Sequence, residues 1–289
     1  MTKYAIISDI HANIDALNLI LQDAEKRGVD KFICLGDLVV KYFYPAEVVD
    51  AIRSVDALTV KGNCDHFVTT IEKYAFARSK LGLDRLEYLE NLPIREQIMI
   101  NKVLVNLYHA TPESITNMFN PYTSTNNYAG GVERDYKHMF IGDEPQINFN
   151  GHTHREYIGV EKDDQFVLRS PNEIYLSNKD RAIVNVGSVG EHDQLYVNGY
   201  DDVKKVIDPF ITYAVMDDNG LEEGTVHVQV VSIPYRETLK HVYFDMVDKQ
   251  KTKEFPNSPN DTKKVHDSLI DMGYTEQDLG GHRLWEMNS

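Results

Sequence analysis

At 289 residues the chain is long enough to bury a substantial core, and its 42% hydrophobic and 26% charged residues are those of an ordinary soluble globular protein. A formal net charge of −15 sets the surface as a whole against nucleic-acid phosphates and anionic membranes, which argues against a general DNA or RNA binder. Cys34 and Cys64 make no disulfide framework, no apolar run reaches membrane-spanning length, and "MTKYAIISDI" enters a strand-like stretch without a leader pattern, so the expectation is a cytoplasmic protein.

In chain order, residues 4–8 of "KYAIISDIHAN" read as a short buried strand that breaks into polar residues. Apolar positions 14, 17, 20, 21 and 24 then mark a helical face closed by Gly28. "DKFICLGD" is a second buried strand, and "PAEVVDAIRSV" a second helix with Pro45 at its start and apolar positions 48, 49 and 52. "ALTVKGNCD" is a third strand. Strands alternating with helices imply parallel pairing and an α/β layer architecture. Residues 67–96 look helical up to Pro93. After them "EQIMI" and "KVLVNLYHA" flank "NK" as a hairpin, and the second half is strand-rich, including "HMFIGDEPQINFNGHTH", "YIGVEKDDQFVLRS", "AIVNVGSVG", "ITYAVMDD" and "GTVHVQVVSI". Two facing sheets around one core describe this better than two domains. Residues 235–249 and 262–273 read as terminal helices joined by the polar "KTKEFPNSPND". The expected organisation is a single domain over 1–289, with a motif-bearing core at 1–235 and a helical extension at 236–289.

Chemistry-bearing residues gather where strands end, the edge at which open parallel sheets place ligands. Asp9 and His11 follow the first strand, Asp37 the second, Asn63 and Asp65 the third, His109 the strand after the hairpin, and His152 and His154 the strand in "FNGHTHREY". On an extended strand His152 and His154 would face opposite ways, so a shared site needs the backbone to turn beside Gly151. A mixture of imidazole and carboxylate donors suits Mn, Fe, Zn, Co or Ni better than Ca or Mg. The set is too large for one ion with an open position, and it divides between two that clamp a phosphoryl group and activate the water between them.

The blocks "SDIHAN", "GDLV", "GNCD", "YHATP" and "GHTH", in that order, resemble the calcineurin-like metallophosphoesterase family, most closely its small prokaryotic phosphodiesterases of the YfcE type. "NVGSVGE" at 185–191 resembles a further loop of that branch. The resemblance implies a four-layer α-β-β-α sandwich of two mixed sheets flanked by helices, and two divalent metal ions. It implies that Asp9, His11 and His154 hold the first ion, that Asp37 bridges both, and that Asn63, His109 and His152 hold the second. Asp65 would orient a histidine or a water. Many relatives carry a histidine, as leaving-group acid, where this chain has Cys64, a poor substitute. A solvent water or His66 is the alternative acid, and His66 is a loop histidine otherwise.

The expected activity is dimetal-dependent hydrolysis of a small phosphate ester, a nucleotide among the candidates. A non-catalytic scaffold of the same fold and a nuclease are the competing readings. The polar segment 113–139 offers Tyr122, Asn126, Asn127 and Tyr128 as a lid or as a plain connector, and Arg155, directly after "GHTH", is a phosphate ligand or a solvated side chain. The 17 tyrosines are compatible with a homo-oligomer interface.

Overall fold

The computed structural model of the chain describes residues 2–41, 44–119, 121, 132–133, 135–169, 173–190 and 210–235, with the isolated helical positions Lys263, His266, Asp267 and Ile270. β1 (Lys3–Ile7), β2 (Lys31–Cys34) and β3 (Leu58–Thr59) pair in parallel, linked by α1 (Ile14–Lys26) and α2 (Pro45–Ser54). α1 buries Ala16, Leu17, Ile20 and Ala24 on one face. It begins where the Asn13 side chain accepts from the Ala16 N–H, and it ends near Gly28, whose φ of 69° stops the helix. α2 starts on Pro45 and buries Val48, Val49 and Ile52 in the same way.

The helical-looking stretch 67–96 is divided. α3 (Asn63–Thr70) gives way to a 3-10 turn at Glu72–Tyr74 and then to α4 (Ala75–Glu90). Within α4, Gly82 leaves the helical basin at φ 73°, ψ 164°. β4 (Arg95–Ile100) and β5 (Val103–Tyr108) form the expected hairpin, with Asn101 and Lys102 both at positive φ as a mirror-image two-residue turn requires. A small parallel pair, β6 (Met118–Phe119) and β7 (Val132–Glu133), follows. β8 (Gln146–Asn150), β9 (Tyr157–Lys162), β10 (Gln165–Arg169), β11 (Glu173–Ser177), β12 (Arg181–Asn185), β13 (Phe210–Asp217) and β14 (Thr225–Pro234) complete the described strands.

These make two six-stranded mixed sheets, in the orders β11-β14-β13-β1-β2-β3 and β10-β9-β12-β8-β5-β4. Ile6, Ile33 and Ala214 of the first meet Val105, Leu107, Phe149 and Val184 of the second in the shared core. Each of the larger side chains among these contributes roughly 1.5–3 kcal/mol by leaving water. The outer face of the first sheet carries α1, α2 and α4 through Leu17, Ile20, Val48, Ile52 and Leu81. The expected α/β sandwich of two mixed sheets with flanking helices is present.

The outer face of the second sheet is different. Asn106, Gln146 and Asn148 alternate with core residues, so their amides project there. Asn106 donates to both Gln146 Oε1 (2.8 Å) and Asn148 Oδ1 (2.7 Å). Gln146 and Asn148 then grip the main chain of Ile141, Glu144 and Met139. Among the described residues this face is covered by a 3-10 turn, Tyr136–Met139, and by an aromatic cluster around Tyr108, Phe140 and Tyr157. The stretch read as a strand from His138 onward becomes one only at Gln146, because the amides hold 139–144 as a loop. The proposed terminal helices and Tyr122, Asn126, Asn127 and Tyr128 lie outside the described residues, apart from the isolated helical positions named above. No helix among the described residues is long and apolar enough to cross a membrane.

Candidate metal centre

The loops leaving β1, β2, β5 and β8, together with the start of α3 after β3, converge at one edge of the sandwich. There the backbone solves the problem posed by His152 and His154. Both sit in the left-handed region, at φ 66° and 56°, so neither keeps the alternation of a strand. Asp9, His11 and Asp37 share that conformation, at φ 55°, 54° and 55°. Each such residue costs on the order of 1–3 kcal/mol, which the surrounding hydrogen bonds must offset. Two glycines make the close approach possible. A Cβ on Gly62 would lie 2.1 Å from Asp37 Oδ1, and one on Gly151 would lie 2.4 Å from Asp9 Oδ2.

The result is three overlapping donor sets, each with its ligand atoms within 4.8 Å of one another: Asp9, His11 and His154; His11, Asp37 and Cys64; and Asp37, His109 and His152. His11 Nε2 and His154 Nε2 face each other at 3.0 Å, and Asp9 Oδ1 lies 3.1 Å from His154 Nε2. Asp37 Oδ1 accepts from the Cys64 N–H at 2.7 Å. Its other oxygen lies between the two groups, 3.9 Å from His11 Nε2 and 3.5 Å from His109 Nε2. Asn63 Oδ1 is 3.1 Å from His109 Nε2. Asp9 Oδ1 is buried and, beyond its contact with His154, makes no regular hydrogen bond among the described residues, although such an atom ordinarily finds one. An under-satisfied carboxylate oxygen beside convergent imidazole nitrogens is a donor set that fits a divalent ion.

The electrostatics show carboxylates and imidazoles acting strongly on one another. Burial opposes ionisation of Asp9 and Asp37, but the imidazoles of His154 and His109 around the first, and of His109 around the second, hold both below the usual carboxylate range. Burial disfavours a charge on His109, yet Asp37 and Asp9 raise it to about 9. His152 falls to about 4 through burial and the nearby His109. Cys64 is 6% exposed, and burial with the Asp37 charge pushes its thiol well up, so it stays protonated. His66 is exposed on α3 and leans on Phe67, ring centroids 6.1 Å apart.

Asp65, expected to orient a histidine or a water, accepts from backbone among the described residues: Oδ2 from Asp37 N (2.8 Å) and Gly62 N (2.9 Å), and Oδ1 from Leu38 N (2.9 Å). Asp65 is the third residue of α3, a position from which an acidic side chain reaches back to the start of its own helix. Burial and the Asp37 charge raise it to about 7.

Four supports were not singled out individually from the sequence. Ser188 Oγ and Gly190 N donate to the Asp9 carbonyl, at 2.9 and 2.8 Å, while Asn185 Nδ2 donates to Gly151 O at 2.7 Å. All three lie in the "NVGSVG" block at the end of β12 and the loop after it, whose signal was its resemblance to a loop of the family. The fourth support, Thr116 O, lies 3.1 Å from His152 Nε2.

Residues 2–200 match the model of the calcineurin-like phosphoesterase superfamily domain. The chain belongs to that superfamily. A curated relative, an uncharacterised protein of Methanocaldococcus jannaschii, is 32% identical over 200 residues, which is 65% of this chain and 76% of that protein. Among solved structures, a metallophosphoesterase from Sphaerobacter thermophilus superposes with a TM-score of 0.62 at 22% identity, covering 92% of this chain and 99% of that one. A hypothetical protein from Pyrococcus horikoshii gives a TM-score of 0.57 at 17% identity, covering 92% and 98%. At such identities these two likenesses speak for the fold alone.

Proposed function

We propose that the protein is a dimetal-dependent hydrolase of small phosphate esters, a phosphodiesterase or phosphatase. In this reading Asp9, His11 and His154 hold one ion, Asn63, His109 and His152 the other, and Asp37 bridges. The observation that carries it is the Asp37 oxygen lying within 3.9 Å of His11 Nε2 and 3.5 Å of His109 Nε2, beside an Asp9 Oδ1 that makes no regular hydrogen bond among the described residues. Bound divalent ions supply Lewis acidity and an activated water at neutral pH. Manganese, iron, zinc, nickel or cobalt suits the imidazole-rich donors, and the choice among them is open to experiment.

The chain's own residues do the rest. The Cys64 N–H orients Asp37 by holding one of its oxygens. The Asp65 carboxylate fixes the backbone of Asp37, Leu38 and Gly62, so the Asp37 side chain is set before a substrate arrives. Leu35 O holds His109 Nδ1 at 2.8 Å and turns its Nε2 toward Asp37 and Asn63. Cys64 offers a protonated thiol whose acidity is too low to assist a leaving group near neutral pH.

Chelated protein should take up two equivalents of Mn²⁺ per chain and regain turnover of bis(p-nitrophenyl) phosphate with Mn²⁺, Ni²⁺ or Co²⁺ but not with Ca²⁺. Full turnover in EDTA, or rescue by Ca²⁺ alone, would overturn the reading.

A further inference from the structure

His109 and His152 both border Asp37, and each has one ring nitrogen against a main-chain carbonyl. His109 Nδ1 is 2.8 Å from Leu35 O, and His152 Nε2 is 3.1 Å from Thr116 O. A carbonyl oxygen only accepts, so the nitrogen facing it carries the hydrogen. For His152 the opposite nitrogen, Nδ1, is left with a lone pair, whereas His109 Nε2 faces the Asn63 amide oxygen and Asp37. A metal-ligating imidazole has its tautomer chosen by the partner of its other nitrogen.

The two carbonyls are held very differently. Leu35 follows β2 directly and is fully buried in the intersheet core. Thr116 belongs to a turn between β5 and β6 in which the main chains of Thr111 and Ser114 bond to each other, at 2.9 and 3.3 Å. Inside that turn the Ser114 hydroxyl accepts from the N–H of Thr116 and of Asn117, at 3.1 Å each, and lies 3.2 Å from Thr116 Oγ1. One hydroxyl thus accepts from the peptides on both sides of the Thr116 carbonyl. The main chain of His152 is pinned separately, its N–H donating to Asp9 Oδ2 at 2.8 Å, which leaves the ring as the adjustable part.

We propose that Ser114 is a positioning residue of the metal centre: its hydroxyl holds the Thr116 carbonyl where it selects the Nε2–H tautomer of His152 and leaves Nδ1 as the donor beside Asp37 and His109. The effect on loading rests on the two-ion reading above, whereas the tautomer does not. Removing the hydroxyl takes that acceptor from both N–H groups, lets the carbonyl turn away, and allows the imidazole to place its hydrogen on the nitrogen that should face the ion. Loss of an outer hydrogen bond of this kind weakens metal binding by roughly 10–100-fold.

The test uses full-length, metal-free protein labelled with ¹⁵N at histidine, with the His152 signals assigned by their loss in His152→Gln. Long-range ¹H–¹⁵N spectra should show the Nε2–H tautomer in wild type and in Ser114→Thr, and a mixture in Ser114→Ala. Calorimetric Mn²⁺ titration of Ser114→Ala should then show one of two binding steps weakened roughly 10–100-fold, the other unchanged, and Ser114→Thr should restore it. An Nδ1–H tautomer in wild type overturns the proposal without any variant, as does a Ser114→Ala spectrum identical to wild type. An Nε2–H wild type that binds a single ion keeps the tautomer assignment and overturns the two-ion reading.

Discussion

Strands β1, β2, β3, β5, β8 and β12 run parallel to a neighbour, while β4, β9, β10, β11, β13 and β14 pair only antiparallel. Every ligand candidate follows a strand of the first group, and none follows one of the second. Crossover connections return parallel strands to the same starting edge, so their carboxyl ends accumulate at the other edge, whereas hairpins reverse direction at once. Positive φ also serves the two regions differently. At Asn101–Lys102 and Asp163–Asp164 it belongs to tight turns that close hairpins. At Asp9, Asp37 and His154 it aims a donor inward and is held there by neighbouring loops. Strain in the hairpins completes the scaffold, and strain at the parallel ends assembles the site.

The comparison breaks most sharply at Asp37. Asp37→Asn should leave the circular dichroism spectrum and fold intact while cutting turnover by roughly a hundredfold or more, on the scale of several kcal/mol of lost charge stabilisation. A variant that keeps more than about a tenth of wild-type turnover with two ions bound would separate Asp37 from the chemistry.

In the antiparallel region the expectation reverses. Leu176 on β11 is 2% exposed and packs in the intersheet core, so Leu176→Ala should lower unfolding free energy by about 2–5 kcal/mol. Denaturant titration reads that loss. Metal affinity and kcat, measured well below the transition, should match wild type, and a fall in either would show that the two regions are not separable.

Cys64 sharpens the comparison within the parallel region. Since its thiol stays protonated beside Asp37, wild-type turnover should depend steeply on leaving-group acidity, with nitrophenyl esters fast and alkyl esters slow. Cys64→His should raise the alkyl esters selectively, by up to about 10²-fold. A flat wild-type dependence that turns steep only in His66→Ala would assign the proton to His66.

The smallest expected effect is at Ser188. Its hydroxyl supports the Asp9 carbonyl, which keeps the Gly190 N–H when the hydroxyl is gone. Ser188→Ala should cost about 1 kcal/mol in thermal or denaturant unfolding. It should also weaken metal binding by roughly tenfold, near the low end for outer hydrogen bonds.

The sequence displayed the donors plainly because each sits in a short polar block after an apolar run, and runs such as "YAIIS" and "FICLG" leave little choice but buried strands. Helix periodicity and the "NK" turn were equally readable. Other features hid for physical reasons. Gly82 interrupts a stretch whose other residues all favour a helix. The amides of Asn106, Gln146 and Asn148 look like loop polarity until pairing aligns them into a ladder that holds 139–144 out of the sheet. Asp65 reads alike from sequence whether it faces a metal-bound histidine or backbone N–H groups, and only the direction of α3 decides. Ser114 lay inside a polar segment with no periodicity to distinguish it.

The three N–H groups gathered by Asp65 have a thermodynamic corollary. They tie the loop after β2 to the start of α3 in the folded chain itself, so the ordering of that part of the centre is completed at folding and not at loading. Little chain entropy remains to be lost when an ion arrives, and one divalent ion can replace another without either loop being rebuilt. On the two-ion proposal, occupancy would then follow donor preference and the supply of ions around the protein.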